Sequence, residues 1–127
     1  EARPLGGRAG TPPVPDKGVG GYIRAAGDFA HFVSLAELSG WRTEEVPQLW
    51  AVALCESRAG SDPAAYDLAA ENGGLLQISR AIWKDWFAVN HGWEWEQIVM
   101  DDLTNLKAAL VIYQRAGRTY LPWECRP

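Results

Sequence analysis

The sequence has little with which to bind a metal. It contains two cysteines, Cys55 and Cys125, and two histidines, His31 and His91. No Cys-x-x-Cys pair is present and the histidines lie far apart, so spacing builds no metal site, and neither metal nor cofactor is expected. Each histidine reads as a surface or core-edge residue. Two distant cysteines in a cytosolic protein are most often free thiols. No apolar run approaches the roughly 20 residues that a helix needs to cross a bilayer, so no membrane span is expected. Lys and Arg number 12 against 16 Asp and Glu, a net charge of −4. That balance argues against a nucleic-acid partner, which draws on clustered basic side chains. No internal repeat is visible. With Glu1 as its first residue, the chain is expected to have lost an upstream segment, such as a signal peptide.

What is present fits a single small domain. The 127 residues leave no room for two ordinary cores, and 47% hydrophobic with 22% charged residues is the profile of a globular protein. Seven tryptophans are a heavy load for this length. They serve either a core or a groove for flat apolar faces such as sugar rings present.

The first 21 residues hold four prolines and six glycines. Such a stretch buries too little surface to offset its ordering entropy and reads as an arm or linker, with the domain proper over residues 22–127. From Tyr22 to about Ser39, apolar residues at three- and four-residue steps predict a helix stopped by Gly40. Thr43 is a candidate cap for a second helix running to about Ser57, apolar on nearly every side and therefore expected to be the buried central helix. Residues 58–73 read as loop with a short strand or hairpin. Ser79 caps a helix from Arg80 to about Asn90 that ends at Gly92. Its Trp83 and Trp86, at helical spacing, read as core. Asp101 or Asp102 starts the last helix, with Leu103, Leu106, Leu110 and Tyr113 as one stripe and Gly117 as its stop. The tail from Tyr120 to Cys125 reads as extended and aromatic. The architecture is helical, with one irregular lobe between Arg58 and Ser79.

The chemistry concentrates in two stretches. Leu54-Cys55-Glu56-Ser57 ends an almost wholly apolar run with one carboxylate. A carboxyl group at the rim of an apolar segment has its charged form penalised, so it can still donate a proton near neutral pH. Glycosidic bonds are broken by acids of that sort. The second stretch, Gly73-Gly74-Leu75-Leu76-Gln77-Ile78-Ser79, is a glycine turn carrying a single amide side chain, Gln77.

Cys-Glu-Ser, the Gly-Leu-Leu-Gln-Ile run, Asn105 with Ala108 and Ala109, then Ile-Tyr-Gln-Arg-Ala-Gly and a final Trp-x-Cys together resemble the lysozyme-like superfamily. The nearest branches are the soluble lytic transglycosylases and the resuscitation-promoting factors of actinobacteria, and the resemblance covers roughly Leu49 to Cys125. It implies an α+β, mostly α fold: a single goose-type or transglycosylase-like domain with a minimal β or loop lobe. Glu56 then stands where the family has its catalytic acid. Gln77 contacts a substrate acetamido or hydroxyl group, and Leu76 stands for the family's methionine. Tyr113 matches a transglycosylase tyrosine more loosely, because Gln114 replaces an asparagine and Arg115 is inserted. From the residues alone Tyr113 is equally a core tyrosine, and Ser57 is either a contact of substrate or of Glu56, or a helix-end residue with no role. Cys55 and Cys125 look like the disulfide pair of the resuscitation-promoting factors.

One departure bears on mechanism. The c-type lysozymes carry their second carboxylate two residues before the glycine of this turn, and here that position is Asn72, counted with Ser57, Leu76, Gln77 and Tyr113 among the candidate substrate contacts. An amide is neither a nucleophile nor a stabilising anion. Glu71 is the candidate substitute, with Asp67 also near. The expected function is therefore a lytic transglycosylase acting with one glutamate on the β-1,4 bond between N-acetylmuramic acid and N-acetylglucosamine of peptidoglycan. A muramidase is the alternative within this class, and a non-catalytic wall-glycan-binding module the alternative outside it. Peptidoglycan strands are the expected partner of a monomer that is secreted or wall-associated, of bacterial or phage origin.

Overall fold

The computed structural model describes residues 21–127. The arm expected over residues 1–21 lies, except for Gly21, outside the described residues. The first helix is shorter than its apolar spacing predicts: α1 runs over Phe29–Ser39. Ala26 (φ 52°) and Gly27 (φ 76°) occupy the left-handed region, which no continuous right-handed helix passes through. Asp28 then caps α1 by accepting from the His31 N–H, and Gly40 closes it at φ 104°.

Thr43–Glu45 form one 3-10 turn that leads into α2 (Val46–Ser57), with Pro47 early enough to be tolerated. Glu45, not Thr43, stands at the N-cap of α2 without a side-chain cap bond to it; its carboxylate instead accepts from the Arg42 N–H (3.0 Å) at the start of the 3-10 turn. The irregular lobe contains a 3-10 turn (Pro63–Tyr66) and a minimal antiparallel hairpin. In it β1 (Asn72–Gly73) pairs with β2 (Ile78–Ser79), Asn72 opposite Ser79 and Gly73 opposite Ile78. Ser79 and Gly92 bound α3 (Arg80–His91) as predicted. A six-residue helix, α4 (Trp95–Met100), has no counterpart in the predicted elements. Asp101, accepting from the Thr104 N–H, caps α5 (Asp102–Arg115). The fold is thus α+β and mostly α, and no helix among the described residues is long and apolar enough to cross a membrane.

The central helix is α5, not α2. It packs on α1 and α4 and buries Asn105, Leu106, Ala108 and Ala109 completely. By contrast α2 buries one face, through Leu49, Val52 and Ala53, and leaves Gln48, Ala51 and Leu54 exposed. Its apolar composition overstates its burial because Trp50 and Leu54 lie toward the surface, Trp50 edge-on to Phe29 and Phe32.

The segment before α1 is stitched to the start of α5. The Ile23 N–H donates to Asp101 (2.8 Å), the Ala25 N–H to Asp102 (2.6 Å), and the Asp102 N–H back to the Ile23 carbonyl (2.8 Å). Asp102, read from sequence as a helix cap, is a fully buried carboxylate that also accepts from the Tyr66 hydroxyl at 2.8 Å. Burial pushes its pKa up to about 6, against the Ala25 and Tyr66 donors and the nearby Arg24 charge. A carboxyl that binds its proton more tightly folded than unfolded favours the folded state most below the unfolded pKa of 3.8, and loses that contribution as pH rises to about 6. The stability difference between wild type and Asp102→Asn should therefore shift by about 3 kcal/mol across that window, at about 1.4 kcal/mol per unit. Urea denaturation of both proteins at pH values bracketing the window measures it. A difference that does not vary with pH would show that Asp102 does not titrate there.

Candidate active site

Glu56 is the penultimate residue of α2, which ends because Arg58 turns to φ 52° and sends its N–H back to the Leu54 carbonyl. The side chain opens into a cavity of about 180 Å³. That is below the ~300 Å³ of pockets that enclose a drug-sized ligand, so it admits a small group or one ring while the rest of a chain lies outside. Asn72 and Ser79 from the hairpin, Gln77, Ile82 and Trp83 of α3, Ile112 of α5, and Trp123 and Glu124 of the tail are among its walls.

The Gly73–Ile78 turn is held rigidly beside Glu56. Asn105 is the anchor: its Oδ1 accepts from the Leu76 N–H (2.8 Å), and its Nδ2 donates to the carbonyls of Ile98 (2.9 Å) and Gly73 (3.3 Å). The Trp123 indole donates to the Leu76 carbonyl (2.7 Å), and the Ser57 hydroxyl donates to the Leu75 carbonyl (2.7 Å) while accepting from the Gly60 N–H (3.0 Å). Glycine is required at 74, where φ is +83° and an added Cβ would sit 2.2 Å from Asn105 Nδ2. Gln77 is a non-glycine residue at φ 49°, held there because its Nε2 donates to the carbonyls of Gly74 (2.9 Å) and Ala65 (3.1 Å). Both amide hydrogens are committed, which leaves Oε1 as the atom Gln77 offers to a ligand.

The tail forms the remaining wall. Cys55 and Cys125 are joined in a disulfide, and the Cys125 N–H donates to Glu56 Oε2 at 3.2 Å. The pKa of Glu56, which is half-buried, is raised by burial; the Cys125 N–H opposes that shift and the neighbouring Glu124 charge adds to it. A carboxyl so placed keeps its proton above the ordinary glutamate range, as a general acid requires.

Three predicted contact residues do not reach this cavity. Ser57 is 1% exposed, with its hydroxyl consumed by the turn, and Leu76 is fully buried beneath it. Both shape the wall from behind. Tyr113 packs between Trp41 (ring centroids 4.9 Å) and Tyr120 (4.8 Å) and borders a separate depression with Gln48 and Arg118. Its place on the buried stripe of α5 turns it away from Glu56, so the core reading holds. Glu71 also stands apart, in the adjoining depression with Arg80, Lys84 and Asp85. Asp67 accepts from the Ala69 N–H in a local turn.

Other residues join the site unannounced. Trp83, half-buried, packs against the core beside Phe87 (ring centroids 5.5 Å), as the core reading has it, and also lines the cavity. Ile82 is 67% exposed, and the tail residues Trp123 and Glu124 had no periodicity to mark them. The Trp-x-Cys ending was the one signal that could have drawn attention to the tail. Among the described residues no group of three His, Cys, Asp or Glu side chains is placed to hold a metal ion. Comparison with protein-family models, with curated proteins and with solved structures finds no match for this chain.

Proposed function

We propose that the chain is a lysozyme-like peptidoglycan lytic transglycosylase, cleaving the β-1,4 bond between N-acetylmuramic acid and N-acetylglucosamine. The observation that carries this reading is Glu56: a half-buried carboxyl with raised pKa, at a helix end, opening into a small cavity beside Trp83. Glu56 protonates the bridging oxygen as the C1–O bond breaks and an oxocarbenium-like ring develops. The position after the lobe's loop holds Asn72, which supplies no anion to that cation. The substrate's own 2-acetamido oxygen therefore stabilises C1. Glu56, now ionised, takes the proton of the C6 hydroxyl, whose oxygen bonds to C1 and closes a 1,6-anhydro ring. Gln77 Oε1 accepts from an acetamido N–H or a sugar hydroxyl, and Trp83 offers a face to the ring.

The products should be 1,6-anhydromuramyl termini, lighter by one water than hydrolysis products. Mass spectrometry of a peptidoglycan digest decides between the two outcomes. Glu124 is the observation that favours hydrolysis as the second reading, since it is an exposed carboxylate in the same cavity and able to hold a water. A digest with only reducing ends would leave a muramidase with Glu56 as its acid. Binding to walls without clearing would leave a glycan-binding module. The disulfide favours an oxidising location, secreted or wall-associated.

A further inference from the structure

We propose that the Glu56 cavity selects a sugar carrying no free carboxylate at the ring placed over the acid, with Glu124 enforcing the choice. This deepens the glycan-cleaving reading and rests on it. Among the described residues that line the cavity, Glu56 and Glu124 are ionisable, and none is Lys, Arg or His. The hairpin contributes Asn72 and Ser79, α3 contributes Ile82 and Trp83, and α5 contributes Ile112, all uncharged. Basic residues beside the cavity line other depressions instead. Arg126 donates to the Leu121 carbonyl at 3.0 Å and borders the depression of Tyr113 and Arg118. Arg80 and Lys84 line the adjoining depression, together with Glu71 and Asp85, and not the Glu56 cavity.

An anionic group entering the cavity thus meets the charge of Glu124 with no cation to answer it. Gln77 compounds the effect, because its two amide hydrogens are spent on Gly74 and Ala65 and only its acceptor oxygen is left for a ligand. The disulfide and the Cys125–Glu56 hydrogen bond keep the Glu124 segment at the cavity wall.

The muramic-acid ring carries a lactyl group whose carboxyl is an amide in peptide-bearing strands and a free carboxylate once the peptide is removed. The cavity therefore favours peptide-bearing strands. The reaction belongs before, and not after, the class of hydrolysis that cuts the lactyl amide.

The test uses Glu56→Gln protein, which leaves Glu124 as the cavity's charge and prevents turnover during titration. Calorimetry compares two muramic-acid tetrasaccharides, one with free lactyl carboxylates and one with those carboxyls as methylamides. At neutral pH and low salt the amide form should bind about tenfold more tightly, the size of one unscreened like-charge contact across several ångströms at intermediate dielectric. Glu124→Gln in the same background should shrink the ratio to about twofold or less, and high salt should do the same because Glu124 is exposed. Equal affinities, a ratio that Glu124→Gln leaves unchanged, or binding of neither sugar would each overturn the selection. Wild-type turnover separates the two ideas. Selection in binding without cleavage of either strand by the wild type would sink the transglycosylase reading alone, whereas cleavage of both at equal kcat/KM would sink the selection alone.

Discussion

Glu56→Gln should lower wall-clearing activity by about a hundred- to ten-thousand-fold, the usual contribution of a general acid–base group, with glycan binding and the fold retained. The substitution keeps the shape of the side chain and one oxygen to accept from the Cys125 N–H, so the contact that docks the tail survives. What disappears is the transferable proton. In the wild type the same group should set the alkaline limit of the proposed activity. Burial and Glu124 raise its pKa, so the protonated acid, and with it the rate, persists above the ordinary carboxylate range and declines as pH climbs through the raised value. Turbidity of a cell-wall suspension reads both effects. A purified Glu56→Gln protein that clears walls at the wild-type rate would remove Glu56 from the chemistry altogether.

Opening the Cys55–Cys125 bridge should produce the largest loss of stability. The cysteines are 70 residues apart, and cross-linking a loop of that length stabilises by about 4 kcal/mol in the chain-entropy model. That is a large share of the roughly 5–15 kcal/mol by which small domains are stable. Activity should fall as well, because freeing Cys125 releases the N–H that contacts Glu56 and loosens the wall bearing Trp123 and Glu124. Urea titration with and without reductant measures the first effect, and wall clearing by Cys55→Ser/Cys125→Ser protein the second. An unchanged urea midpoint after verified reduction would show that tail packing through Trp123 suffices without the bond.

How much of this was legible in the chain depended on whether the signal was local. Ser79 and Gly92 announced α3, and Gly40 announced the end of α1, because caps act through their own backbone. The start of α1 was hidden because the left-handed Ala26 follows from how the Ile23–Ala25 segment is tied to Asp101 and Asp102, more than 75 positions away. Glu56, Asn72 and Gln77 were found, and they share one cavity. Ser57 and Leu76 were named for substrate contact when their work is to fasten the turn that shapes it. Glu124 escaped notice because an acidic residue in a short tail carries no pattern of its own, and long-range contacts, the disulfide and the Trp123 and Cys125 hydrogen bonds, bring it to the end of α2.

The position of the tail also fixes the order in which the site can come into being. A chain synthesised as far as Gly117 already holds α2, the glycine turn and the Asn105 anchor, yet its acid lacks the Cys125 donor and the wall formed by Pro122, Trp123 and Glu124. Without the tail, Glu56 faces the hairpin and α3 walls alone and lacks the neighbouring Glu124 charge. The Glu124 charge that helps raise its pKa arrives only when residues 122–125 dock and Cys125 finds Cys55, a contact of long sequence separation that forms late on topological grounds. Closure of the Cys55–Cys125 bridge and completion of the wall around the acid are then the same event.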